Sequence, residues 1–167
     1  MTDSISRFTN MQAGTELGVS AWHRVTQQDV DTFAQLTHDE DPYHNDPEWA
    51  RQSSPLGTTI SFGFFTLAML SYFAHQVLDE QGMGSGSDTQ MLNFGFNRVR
   101  MPEPVPVGSE IRGSFVFAGA RERSAGALEF TLTASVEIRG KERPALVAEW
   151  LFVAMPTGEA ANVAREN

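Results

Sequence analysis

Asp39 and His44 stand five positions apart in an acidic loop and are the first candidates for chemistry. Pro42 lies between them and stiffens the loop, so a carboxylate and an imidazole can converge without strain. A water molecule held between the two could be deprotonated by one group while the other protonates a reacting carbon. The same residues also suit a loop that only caps helices and meets solvent, and spacing alone leaves both interpretations open.

A second candidate is Gly63, near the start of an apolar segment that opens with Ser61 and Phe62. The first N–H groups of a helix have no intrahelical partner and lie at the positive end of its dipole, which suits them to stabilise an oxyanion. A glycine there would let a substrate carbonyl approach the backbone. The alternative is that Gly63 only permits tight packing of helix against sheet.

Several helices must position these groups. Thr26 and Asp29 predict a helix start, with Thr26 as the cap and the carboxylate near the positive end, and this helix ends near Thr37. Asp46 followed by Pro47 predicts the start of another helix. Residues 61–79 are apolar on nearly every side, which indicates a long helix surrounded by other elements.

Beyond a Gly- and Ser-rich loop at 82–87, the pattern changes to alternation and predicts four strands. They cover 91–101 with a bulge near Asn97, 111–118, 129–139 and 146–155, with a turn at 140–143. An N-terminal extended stretch and small helices precede them. The order predicts an α+β fold in which an antiparallel sheet curls around the long helix. We expect one domain over 1–156 and a flexible tail at 157–167.

Composition excludes several classes of protein. Twelve Lys and Arg against 21 Asp and Glu give a net charge of −9, which disfavours nucleic acid and anionic membranes as partners. The chain has no cysteine, its N-terminus lacks an apolar signal region, and polar residues interrupt the longest apolar stretch. We therefore expect a cytoplasmic protein. The acids and histidines of 38–46 match no familiar zinc or calcium spacing, so no metal site is predicted.

Three blocks of the sequence resemble the MaoC-like dehydratases, which include (R)-specific enoyl-CoA hydratases and nodulation protein N-like proteins. Residues 33–46 read FAQLTHDEDPYHND and match the family's hydratase motif, with Asp39 and His44 at the catalytic positions. Residues 57–67 read GTTISFGFFTL and match a second block. Residues 95–108 read GFNRVRMPEPVPVG and match a third. The blocks occur in the family's order, and the likeness covers most of the chain.

The resemblance implies a hot-dog fold and a homodimer or a dimer of dimers. It implies hydration of a trans-2-enoyl thioester, with coenzyme A as part of the substrate and no other cofactor, or the reverse dehydration. Asp39 would take a proton from water and His44 would protonate C2, although the two roles could be exchanged or shared. The Gly63 N–H would bind the thioester oxygen, and Ser71 matches a serine that lines the family's pocket.

This chain departs from the family at three positions. His38 stands where many members have Gly, Asp41 where Asn often precedes Pro, and Phe62 where many have His. A second carboxylate at Asp41 would disturb Asp39 only if both were buried. Phe62 removes a polar group from the predicted pocket wall and suggests a bulkier or more apolar acyl chain.

Two further questions stay open at the level of sequence. The cations that could bind the phosphates of coenzyme A are six, and the sequence does not choose among them: Arg98, Arg100, Arg112, Arg121, Arg123 and Lys141. The alternatives to hydration are an acyl-thioester-binding or scaffold subunit of a hetero-oligomer without catalysis, and an acyl-CoA thioesterase on the same fold.

Overall fold

The computed structural model describes residues 4–84, 86 and 89–157. Its helices are α1 (Ser4–Thr9), α2 (Gln27–Thr37), α3 (Pro42–Asn45), α4 (Pro47–Ser53) and α5 (Gly63–Glu80). Its strands are β1 (Glu16–Val19), β2 (His23–Arg24), β3 (Thr89–Arg100), β4 (Glu110–Glu122), β5 (Leu128–Ile138) and β6 (Leu146–Pro156). A short 3₁₀ turn at Ser124–Gly126 joins β4 to β5.

The six described strands form one antiparallel sheet in the order β1-β4-β5-β6-β3, with β2 paired to the start of β4. The long helix α5 packs against β1, β4 and β5, and its buried face includes Leu70, Phe73 and Val77. A Cβ atom at Gly113 would lie 2.6 Å from the Cβ of Phe73, so only glycine permits this helix-to-sheet distance. The α+β fold with a curled sheet around a central helix is confirmed.

The four predicted strands are present as β3 to β6, and β3 has register shifts at Asn93/Gly95 and Phe96/Arg98, close to the predicted bulge. The prediction of only four strands is wrong, because β1 and β2 pair with β4. These strands have four and two residues, too few to show alternation in the sequence. The expected extended N-terminus also contains α1, whose buried Phe8 stacks on Phe130 with ring centroids 4.1 Å apart.

Some sequence predictions fall beyond the described part of the chain. The loop at 82–87 is described only in part, and the tail at 157–167 only at its first residue. The assignment of one domain to 1–156 and a tail to 157–167 therefore stays a prediction. Within the described ranges, no helix is both long and apolar enough to span a bilayer.

Candidate active site

The end of α2 places Asp39 at the start of the acidic loop. A capping box begins this helix, with the Thr26 hydroxyl accepting from the Asp29 N–H and the Asp29 carboxylate accepting from the Thr26 N–H. The helix ends at His38 in the left-handed conformation, with φ of 57°, and the N–H groups of His38 and Asp39 both donate to the Ala34 carbonyl. Glycine adopts this conformation without a penalty, which explains why glycine suits this position in the family.

His44 lies in α3, and its ring orientation is fixed by one hydrogen bond. Asp41 caps this short helix by accepting from the Tyr43 N–H at 2.9 Å. The Nδ1 of His44 lies 2.7 Å from the Ile60 carbonyl oxygen. A carbonyl can only accept, so Nδ1 carries the hydrogen, and Nε2 of the neutral ring has a free lone pair.

Asp41 therefore has a structural function at the cap. Asn and Asp cap helices about equally well, so the departure from the family's Asn preserves the geometry of α3. Asp39 and Asp41 are both exposed, so the condition under which the second carboxylate would disturb the first is not met.

The Phe62 ring stacks against one face of the His44 ring. The two rings stack with centroids 3.8 Å apart and planes at 29°, and Phe62 is only 3% exposed. Phe33 packs beside it at 5.3 Å. The Phe62 ring is covered by its neighbours, and its assignment to the wall of a substrate pocket stays a prediction. The structure shows that Phe62 packs against the imidazole.

A polar network anchors the backbone of α3. The Gln27 side-chain amide donates to the His44 carbonyl at 2.7 Å and to Asp31 at 2.8 Å, and its oxygen accepts from the Thr59 hydroxyl at 2.6 Å. Asn45 donates to the same carboxylate of Asp31 at 2.9 Å. The sequence analysis missed this network. The spacing of Gln27 and Asp31 on successive turns of one helix was the available signal.

A cavity of about 250 Å³ lies beside His44 and Gly63. Its walls come from four segments: His44 in α3, residues around the start of α5 (Ile60, Ser61, Gly63 and Thr66), residues after β3 (Met101, Glu103, Pro104 and Val105), and Ala145 before β6. Gly63 is the first residue of α5, where the backbone N–H has no intrahelical acceptor. A Cβ atom at Gly63 would collide with the Sδ of Met101, so glycine permits the close approach of this side chain. The assignment of the Gly63 N–H to an oxyanion stays a prediction.

The predicted site residues do not all meet in this cavity. His44 and Gly63 line it together. Asp39 is exposed on the adjoining loop, does not line it, and has no side-chain hydrogen bond within the described part of the chain. Ser71 lines a second cavity of about 200 Å³, with His75, Asn93 and Trp150. Eight residues of helix, about 12 Å of rise, separate Ser71 from Gly63.

The acidic loop shows no metal-binding arrangement. The carboxylates of Asp41 and Asp46 accept from backbone N–H groups as helix caps. In residues 4–84, 86 and 89–157, no three His, Asp or Glu side chains are grouped as metal ligands.

Comparisons of the sequence and of the fold with known proteins found similar proteins. The profile of the MaoC-like domain matches residues 8–137. The 3-hydroxyacyl-thioester dehydratase Z of Mycobacterium tuberculosis is 40% identical over 137 residues, which cover 82% of this chain and 87% of the relative. Nodulation protein N of Rhizobium leguminosarum bv. viciae is 42% identical over 143 residues, which cover 84% of each chain. A solved (R)-hydratase from A. caviae shares the fold, with a TM-score of 0.67 at 23% identity over 86% of this chain and 96% of that one.

Proposed function

The chain belongs to the MaoC-like domain family, and we propose that it hydrates trans-2-enoyl thioesters to 3-hydroxyacyl thioesters and catalyses the reverse dehydration. The observation that carries this proposal is the shared cavity of His44 and Gly63. Both residues line it: with Nδ1 of His44 bonded to the Ile60 carbonyl, Nε2 can accept a proton when the ring is neutral, and the Gly63 N–H has no intrahelical acceptor. A proton acceptor and an oxyanion donor are the two groups that addition of water to an enoyl thioester requires.

In the proposed reaction, the thioester oxygen accepts a hydrogen bond from the Gly63 N–H. Water attacks C3 as it loses a proton, and negative charge moves through C2 to the thioester oxygen, where the positive end of α5 stabilises it. A proton then adds to C2, so the elements of one water molecule are added in total. The reverse sequence removes the C2 proton and expels the hydroxyl group as water.

Asp39 and His44 are proposed to act on the same water molecule in different roles. The Nδ1 bond to Ile60 favours the exchanged assignment of roles, since neutral His44 presents an acceptor at Nε2 and not a donor. His44 then takes the proton of water and returns one to C2. Asp39 accepts a hydrogen bond from the same water and orients it, for which its exposed, unpaired carboxylate on the adjoining loop is available.

We assign coenzyme A as the carrier part of the substrate and require no other cofactor, because hydration involves neither redox change nor group transfer to the protein. Ser71 and its mostly apolar cavity are proposed to receive the distal part of the acyl chain. Phe62 acts on the reaction by holding the His44 ring. The cytoplasmic location stays a prediction from the sequence.

A homodimer or dimer of dimers is proposed to form through β3. This strand has twelve residues and lies at the edge of the sheet, with β6 on one side and no paired strand of the described chain on the other. Leu92 and Phe94 on this strand are 43% and 54% exposed. A long edge strand with exposed apolar side chains in a soluble domain needs a partner to cover it, and a second copy supplies the same strand.

The test is a panel of trans-2-enoyl-CoA substrates, followed by loss of the conjugated thioester absorbance. We expect turnover by the wild type and a loss of about 10²–10⁴-fold in Asp39→Asn and His44→Ala. Asp41→Asn is the matched control, because it removes a neighbouring carboxylate, retains the cap and should keep activity.

Two other outcomes would contradict hydration. Release of free thiol without loss of the enoyl group first would identify a thioesterase. Tight binding of the thioesters with no reaction across the panel would identify a binding or scaffold subunit.

A further inference from the structure

The cations of this acidic chain divide into those with a carboxylate partner and those without. Of the six sequence candidates, four are ion-paired: Arg112 with Glu137, Arg121 and Arg123 with Glu129, and Lys141 with Glu103. Arg98 and Arg100 have no carboxylate within 4.0 Å in the described part of the chain. Arg143, which the sequence analysis did not consider, has none there either.

These three arginines flank the wall of the His44 cavity. Among the residues that line this cavity, Met101 and Pro104 are exposed, so it opens to solvent beside them. Arg100 directly precedes Met101 at the end of β3. Arg143 stands two residues before Ala145, which lines the same cavity. Arg100 thus precedes the exposed rim of the cavity, whereas Arg143 is exposed two residues before Ala145, a wall residue that is only 1% exposed.

Arg98 extends this basic surface along the sheet. It lies three residues before Met101, about 10 Å along the strand, and lines a groove of about 250 Å³ on the outer face with Thr133 and Val147. Arg98 and Arg100 alternate with Val99 and therefore share one face of β3. Arg98 and Arg100 therefore lie on the outer face of the sheet, along the end of β3 that leads to Met101.

We propose that Arg98, Arg100 and Arg143 form the binding site for the phosphate groups of the coenzyme A thioester. The inference rests on the proposed function, because it requires the thioester carbonyl to lie at Gly63. The pantetheine arm of coenzyme A then leaves the cavity past Met101, and its phosphates lie outside the mouth. Unpaired guanidinium groups bind phosphate by paired, charge-assisted hydrogen bonds, whereas paired ones must first give up a carboxylate.

Three carboxylates lie near this surface and limit its positive charge. Glu103 lines the cavity but is held by Lys141 at 3.4 Å. Glu142 is exposed in the turn before Arg143. Glu149 lies opposite Arg98 in the register of β3 and β6 and lines the same groove, without an ion pair between the two. The anion site is therefore local, within a chain whose net charge of −9 repels phosphates elsewhere.

The test compares two thioesters of the same enoyl group, one on coenzyme A and one on phosphate-free pantetheine. We expect Arg98→Gln, Arg100→Gln and Arg143→Gln each to raise KM for the coenzyme A thioester about 3- to 10-fold, with kcat retained. The pantetheine thioester should show unchanged kcat/KM in all three variants. Added salt should weaken only the coenzyme A reaction of the wild type.

Arg121→Gln is the matched control. It removes one exposed arginine from the same sheet, at the end where Arg121 pairs with Glu129 and far from Arg100. We expect it to leave both KM values unchanged, which separates local binding from the loss of net charge.

Equal losses with both thioesters would overturn the phosphate site and leave hydration intact. The same enoyl group on an acyl carrier protein is assayed as a third substrate. If the arginine variants lose activity only with that thioester, the phosphate site is also overturned, in favour of a protein carrier. If the wild type turns over neither thioester, the proposed function itself fails. Calorimetry with adenosine 3′,5′-bisphosphate then still tests the site, since wild type should bind this probe and the triple variant should not.

Discussion

Gly63→Ala should separate folding from catalysis. The backbone at Gly63 is not in the left-handed region, so alanine fits its conformation, and a helical position favours alanine over glycine by about 0.5–1 kcal/mol. The new methyl group collides only with the end of the Met101 side chain, which is 44% exposed and can rotate away. We therefore expect the free energy of unfolding to change by no more than about 1 kcal/mol.

The effect on turnover should be far larger. The methyl group lies beside the N–H that the thioester oxygen would use, and the displaced Met101 borders the 250 Å³ cavity. Alanine keeps the backbone N–H, so any loss arises because the methyl group holds the carbonyl away from this donor. A lost oxyanion donor costs about 10²–10³-fold in kcat, or roughly 3–4 kcal/mol, and we expect an effect of that order. Urea unfolding and the enoyl-CoA absorbance assay measure the two quantities on the same preparation. Full activity in Gly63→Ala would refute the oxyanion assignment. A loss of activity that only parallels a loss of folded protein would refute it as well.

A double variant distinguishes the two causes of that loss. If the displaced Met101 side chain alone blocks the cavity, Gly63→Ala combined with Met101→Ala should recover activity. We expect no recovery, because the methyl group at position 63 itself keeps the carbonyl from the N–H.

Three further predictions concern the elements around the site. His38→Gly should keep activity and raise the free energy of unfolding by up to about 1 kcal/mol, because it relieves a left-handed residue; a fall of that size in urea unfolding would contradict this. The hydrogen bond and charge of Arg121 hold the pKa of Glu129 below its ordinary value, so its ionised form stabilises the fold above that ordinary value, and this contribution is lost as pH falls through the lower folded value. Glu129→Gln should therefore lower the thermal midpoint at pH 7 by an amount that shrinks in acid, and a constant deficit would refute the assignment. Phe94→Asp should convert a dimer to monomers in light scattering, and an unchanged mass would exclude β3 as the interface.

Local sequence signals predicted those elements whose ends and faces depend on neighbouring residues. Thr26 and Asp29 begin α2, and Asp46 with Pro47 begins α4, because caps act within four residues. The alternation in β5 reports its two faces directly. The strands β1 and β2 could not be predicted, since their pairing with β4 is made by residues far away in the chain.

The candidate site likewise contains residues that the sequence predicted and contacts that it could not predict. The resemblance named His44 and Gly63, and both line one cavity. The packing of Phe62 on His44 is a contact between two elements, and no local pattern predicts which face of a helix start is covered. The network centred on Gln27 joins three segments, so only the pair Gln27 and Asp31, one turn apart on α2, leaves a signal in the sequence. The partners of the arginines likewise depend on strand register, which spacing does not reveal.

The central claim is that Asp39 and His44 act on one water molecule, and a double-mutant cycle tests it most directly. We expect kcat/KM of the Asp39→Asn/His44→Ala enzyme to be no lower than that of the less active single variant, because either change alone abolishes the shared step. Folding of all four proteins is checked by urea unfolding. Losses that multiply, or an Asp39→Asn enzyme as active as Asp41→Asn, would show that the two residues act independently and would contradict the account.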